Sequence, residues 1–301
     1  MFSTSSHCVI GARLRRHCLV PILSVASVTT CVSLIANSGA VAAGSIKPSV
    51  AEQSMIIYRA DQRLIKSCMR TQGFSYSYSP ASVVLPEQLF PFGIDELGWA
   101  RANGFGREIL DEMTASQKYV ARLSTSDRNR YFLDLNGPGP IGPGVTASLP
   151  TGEVIGHSTS GCIASADREL YGNYRSWFKV SSQYQDLNNL VVNRVLQSNS
   201  YRSAVLEWSS CMSIHGHAYL SPAQAMHSFL TAMPPMPREI EHSVAQTEVN
   251  CGITVGLFRF AHRLEDEDAG RIRRQYSMIV SANRRFNAAA LPRAEKVLGL
   301  S

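Results

Sequence analysis

The sequence predicts a mainly α-helical protein of two related halves, each stapled by a disulfide and interrupted by proline-rich irregular crossings. Three observations carry that expectation. Apolar residues recur at three- and four-residue steps over most of the chain. After residue 43 the chain holds four cysteines, Cys68, Cys162, Cys211 and Cys251. A Cys-Met-x3-Gly element occurs twice, in the same order relative to its neighbours.

The chain starts with the three zones of a secretory signal. Met1 to His17 carries Arg13, Arg15 and Arg16 and no acid, Leu19 to Ala36 is uncharged, and Ala40-Val41-Ala42-Ala43 supplies small residues for cleavage. The competing reading is a retained membrane anchor, since the apolar run is close to the length that spans a bilayer. Pro21 inside the run and the small residues after it favour cleavage near Ala43. Cys31, preceded by Thr29-Thr30, makes a poor lipidation site. The expected product is secreted or held at the cell surface, with residues 44–172 forming the first half and 173–301 the second. Losing the three arginines lowers the formal net charge from +6 to +3. So small a dispersed charge argues against a nucleic-acid partner, and no later stretch is apolar for long enough to predict a mature transmembrane segment.

The elements follow in order. Ile57, Ala60, Leu64 and Cys68 share one helix face over 51–72, and Gly73 is the expected C-cap. Residues 74–92, with Pro80, Pro86 and Pro91, read as an irregular crossing with room for small β-pieces. Short helices are expected over 95–106 and 126–136. The Gly/Pro run at 137–144 excludes both helix and central strand. A helix holding Cys162 is expected to break at Tyr171-Gly172, and Trp177 to Val195 continues the period. Ala204, Trp208, Cys211 and Met212 mark a shorter helix capped by Gly216. Residues 222–237 read as a second proline-rich crossing. One long helix or a broken pair then spans 238–289, with Gly256 and Gly270 as candidate breaks.

Cys68-Met69-x3-Gly73-x2-Tyr76 matches Cys211-Met212-x3-Gly216-x2-Tyr219. In each copy a cysteine at a helix end precedes a crossing that leads to a second cysteine on a longer helix. Four cysteines allow three connectivities, and the repeat favours Cys68–Cys162 with Cys211–Cys251. Zinc binding is the weaker reading of these cysteines, since no two of the four are close in sequence.

Several stretches together resemble a family of uncharacterised secreted bacterial proteins. They are Cys68 to Phe74; Gly93, Ile94 and Asp95 with Ala100, Arg101 and Gly104 to Gly106; Leu135 to Gly137; Gly161, Cys162, Ala166 and Leu170 to Gly172; and Trp208 to Gly216. The resemblance implies export and paired cysteines, and no activity. His217 stands where an aromatic residue usually follows the second glycine of the repeat.

Nothing in the sequence composes a catalytic framework. There is no Gly-x-Ser-x-Gly, no phosphate-binding loop and no Cys-x-x-Cys. His157 beside Ser158 and Ser160, and the His215/His217 pair with His227 or His242 as a third ligand, are the candidate hydrolytic or metal-binding groups. The ordinary reading of each is a hydrogen-bonded or exposed side chain. The 265–268 acidic run followed by Arg271, Arg273 and Arg274 reads as a self-paired helix face rather than a calcium loop. Met212, Met226, Met233 and Met236 read as core or loop filling. No cofactor, no metal and no catalytic residue is assigned. The expected function is non-enzymatic binding of an envelope or extracellular protein, with an exported hydrolase using His157 or His215/His217 as the alternative.

Overall fold

A computed structural model describes residues 49–77, 85–113, 115–139 and 144–300. The expected export signal and its expected cleavage point lie outside them, as do residues 140–143 of the Gly/Pro run.

Thirteen helices and one two-stranded sheet are found among the described residues. The first half holds α1 (Val50–Thr71), α2 (Pro86–Leu89), α3 (Leu97–Asn103), α4 (Arg107–Met113), α5 (Ala115–Ala121) and α6 (Thr125–Asn136). The strands β1 (Gly144–Ser148) and β2 (Val154–Ser158) come next, then α7 (Gly161–Tyr171). The second half holds α8 (Tyr174–Gln197), α9 (Asn199–Ile214), α10 (Pro222–Thr231), α11 (Arg238–Thr254), α12 (Leu257–Gln275) and α13 (Ser277–Leu298). No described helix is long and apolar enough to cross a membrane.

Each half carries its own disulfide, Cys68–Cys162 between α1 and α7 and Cys211–Cys251 between α9 and α11. The two helix ends beside them are built alike. Phe74 N–H donates to the Met69 carbonyl at 2.9 Å, and His217 N–H to the Met212 carbonyl at 2.9 Å. Gly73 and Gly216 sit at φ 84° and 83°, the left-handed conformation that lets the chain turn back over the last carbonyls.

Four local expectations change. Cys162 lies on an eleven-residue helix, shorter than the twenty-two residues of α1. The chain turns at Gly172, whose N–H closes α7 on the Arg168 carbonyl. A two-stranded sheet forms at 144–158, and no strand is found among the described residues of 74–92. Val145 and Ala147 are buried, Val145 beside Ala164 and Trp177, and Gln183 on α8 donates to the Ser148 carbonyl. Pro222 opens a helix rather than a crossing. It occupies the first turn of α10, where its missing N–H costs nothing, and the Ser221 hydroxyl accepts from Gln224 N–H. Gly256 does break the last helical stretch, but Gly270 lies inside α12 and the second break is Tyr276. The helix after it runs through Pro292 to Leu298, because Ala290 and Ala294 are buried against α1.

Division at 172/173 follows chain order, and packing crosses it twice. The largest core joins Phe90, Phe92, Ile94 and Phe105 of the first half to Trp208, Met212, Phe229, Val244 and Leu257 of the second. In return, α13 covers Ile57 and Ala60 on α1 and Leu170 on α7.

Candidate functional site

The segment between α2 and α4 is mostly loop, and α11 holds it through two buried glutamates seven residues apart. Glu241 Oε1 accepts from Phe105 N–H at 2.9 Å and Arg107 N–H at 3.3 Å. Glu248 Oε1 accepts from Ile94 N–H at 2.8 Å. Seven residues is two helical turns, so both carboxylates leave α11 on one face. Between them His242 Nδ1–H donates to the Arg101 carbonyl at 2.9 Å, fixing the tautomer whose Nε2 accepts from Arg238 Nε–H. Arg107 completes the clasp by donating to the Leu230 and Ala232 carbonyls at the C-terminal end of α10.

This clasp explains why glycines punctuate the segment. A Cβ at Gly93 would stand 2.6 Å from Pro222 Cβ and 2.9 Å from Glu248 Oε1, and one at Gly104 would stand 2.8 Å from Glu241 Cγ. Gly104 also has φ 58° with ψ −128°, a conformation essentially closed to other residues. Gly104→Ala is therefore expected to cost about 2–4 kcal/mol of stability. Denaturant titration against the exposed control Gly98→Ala checks this, and equal midpoints would show that the clasp tolerates a side chain.

Glu248 is fully buried, and Oε2 has no hydrogen-bond partner among the described residues. Burial raises its carboxyl to about 8, with the Ile94 N–H bond opposing, so the neutral acid is the form held at pH 7. A second buried acid set lies beside the first disulfide. Gln62 Nε2 donates to Asp61 Oδ2, Tyr76 OH donates to Gln62 Oε1, and Asp167 on α7 is held well above the carboxylate range by burial and by the charge of Asp61.

A cleft of about 440 Å³ opens between the 87–93 segment and α10. Phe90, Pro91 and Met226 give it an apolar lining, and Glu87 and His227 stand exposed on its walls. Gly93 and Pro222 also line it, and Pro222 with the buried Glu248 carboxyl leaves no room for a Cβ at Gly93. Near the same segment, His262 lies between two carboxylates. Its Nε2 is 2.5 Å from Asp95 Oδ2 and its Nδ1 3.1 Å from Glu265 Oε2.

The residues singled out in the sequence scatter. His157, on β2, has Nδ1 2.9 Å from the Ser158 carbonyl and 2.8 Å from the Tyr174 hydroxyl. Ser158 is its neighbour on the strand, and neighbours on a strand face opposite ways, so the hydroxyl turns to Ser160 instead. His215 lies at the end of α9 with its ring nitrogen within 4.8 Å of both sulfurs of the second disulfide, a grouping that does not include His217. His227 lines the cleft, His242 binds the backbone of α3 and His262 binds Asp95, so these histidines do not converge on one centre. The acidic run divides as well. Asp268 pairs with Arg271 on its own helix and with Arg194 of α8, whereas Glu265 turns to His262. Met212 and Met226 are core, and Met233 and Met236 are exposed.

These features define a disulfide-stapled helical protein with an apolar cleft braced by buried acids. No family model, no curated protein and no solved structure matches the chain.

Proposed function

We propose that this is an exported, non-enzymatic binding protein, built from one duplicated unit, whose cleft between the 87–93 segment and α10 receives an apolar segment of an envelope or extracellular protein. One observation carries the reading. The buried Glu248 of α11 holds the Ile94 N–H next to Gly93 of the cleft lining, so this acid supports the wall of the concavity. A rigid apolar concavity with a few polar groups at its edge is the usual form of a binding site. Glu87 and His227 would orient the ligand, and Phe90, Pro91 and Met226 would bury its side chain. The four cysteines and the signal-like first 43 residues agree with an oxidising compartment.

The test expresses the full chain with a C-terminal tag, beside Ala223→Trp, which fills the cleft from an exposed position. The parent is expected in the extracytoplasmic fraction, beginning near Gly44, with a co-purifying protein that the tryptophan variant does not retain. An intact chain kept in the cytoplasm, or identical partners for both proteins, would sink the proposal. Hydrolysis of ester, peptide or glycoside substrates that is lost in His157→Ala or His215→Ala would replace it with the hydrolase reading.

A further inference from the structure

The two disulfides share a helix-end geometry but differ in one neighbour. Gln72 is the first residue after α1, four residues beyond Cys68; His215 is the first after α9, four beyond Cys211. Four residues is about one helical turn, so each side chain rises on the face of its cysteine. At α9 the result is a three-donor group: a ring nitrogen of His215 and the sulfurs of Cys211 and Cys251 all lie within 4.8 Å of one another. At α1 the matching position is a glutamine, Gln72.

We infer that reduction of Cys211–Cys251 opens a Zn²⁺ site made of two thiolates and the His215 imidazole. Two sulfurs and a nitrogen are the donor set zinc prefers, at about 2.3 Å for sulfur and about 2.0–2.1 Å for nitrogen. Tetrahedral donors at such distances stand roughly 3.4–3.8 Å apart, so three groups already within 4.8 Å need only small rotations once the S–S bond is broken. The Cα atoms of Cys211 and Cys251 are 5.7 Å apart, on two helices packed against the same core. His215 is exposed and Cys211 half-buried, so a metal arrives from solvent and its fourth position faces water. The chemistry balances with a dithiol as reductant. The dithiol gives two electrons and two protons to the S–S bond and leaves as its own disulfide. Zn²⁺ then displaces two thiol protons, which pass to water, and binds neutral imidazole without further proton release. A small-molecule disulfide reverses the sequence: it takes two electrons from the thiolates and two protons from water, leaves as two thiols, and the ion is expelled. Cys68–Cys162, with Gln72 beside it, is a built-in control.

The test uses Co²⁺, a spectroscopic stand-in for zinc, and the full chain with Cys8, Cys18 and Cys31 replaced by serine. Reduction is with a phosphine, which becomes its oxide by taking oxygen from water. The folded, reduced chain is expected to bind one Co²⁺ with thiolate charge-transfer bands and the visible bands of a tetrahedral ion, and the oxidised chain none. His215→Gln, an exposed change, is expected to weaken binding at least about tenfold, since even outer-shell changes at metal sites cost that much. Gln72→His, combined with Cys211→Ala and Cys251→Ala, is expected to create a similar site at the first pair. Near-ultraviolet circular dichroism follows the fold throughout. The inference is overturned if reduction unfolds the chain, if the folded reduced chain shows no cobalt bands, or if His215→Gln binds as tightly as its parent.

Discussion

Replacing Cys68 and Cys162 together by alanine is expected to lower the free energy of unfolding by about 4–5 kcal/mol. The bond closes a loop with a sequence separation of 94 residues, against 40 for Cys211–Cys251. In the chain-entropy account the longer loop leaves the unfolded chain more freedom when it is cut, and the shorter pair is worth about 4 kcal/mol. Since domains of this kind are stable by roughly 5–15 kcal/mol, either loss is large. The first pair also fastens a separate small core. Cys162 is buried there with Ile65, Met69, Phe74 and Tyr131, so truncation removes packing as well as a link. Denaturant titrations of the two double variants at one pH check this. A loss below about 1 kcal/mol for the first pair would mean that its core holds without the staple.

The second large effect is a pH dependence carried by Glu248. Its carboxyl titrates at about 8 in the folded chain and at about 4.5 when unfolded. Between those values the folded state binds the extra proton, so stability is full below about pH 4.5, falls as pH rises, and levels off above about 8. The shift corresponds to a loss on the order of 5 kcal/mol across that window. Glu248→Gln keeps an oxygen to accept from Ile94 N–H and never ionises. It is expected to lie within about 1 kcal/mol of the parent at pH 5 and to exceed it by several kcal/mol at pH 9. Asp167, also raised by burial, tilts both profiles alike and cancels in the comparison. Parallel stability profiles for the two proteins would rule out Glu248 as the titrating group.

Much of the fold was legible in the sequence, and the reasons are local. Three- and four-residue steps placed α1, α8 and α9 because their stripes are apolar and end in caps. The repeat selected the cysteine pairs because it marks equivalent helix ends. The candidate site was less legible. On α11 the reading followed Ile240, Val244, Thr247 and Cys251, yet Ile240 is half exposed, and Glu241 and Glu248 take inward places beside Val244 and Cys251. An acid on an apolar stripe looks like an interruption unless its backbone partners are known. Those partners lie 136 and 154 residues away, on Phe105 and Ile94. One trace was present: glycines at 93, 104 and 106 imply close approach by something, though not by what. Likewise Pro222 was read as a breaker because its place in the first turn depends on where α10 begins.

The crossed packing of the halves has a consequence for biosynthesis. The helix α1 presents Ile57 and Ala60 to a surface supplied by Ala290 and Ala294, more than 200 residues later in the chain. Leu170 of α7 reaches that greasy strip earlier, but until α13 is made the rest of its cover is missing. A nascent chain stalled before residue 290 leaves it half covered, a target for chaperones and proteases that the folded protein conceals.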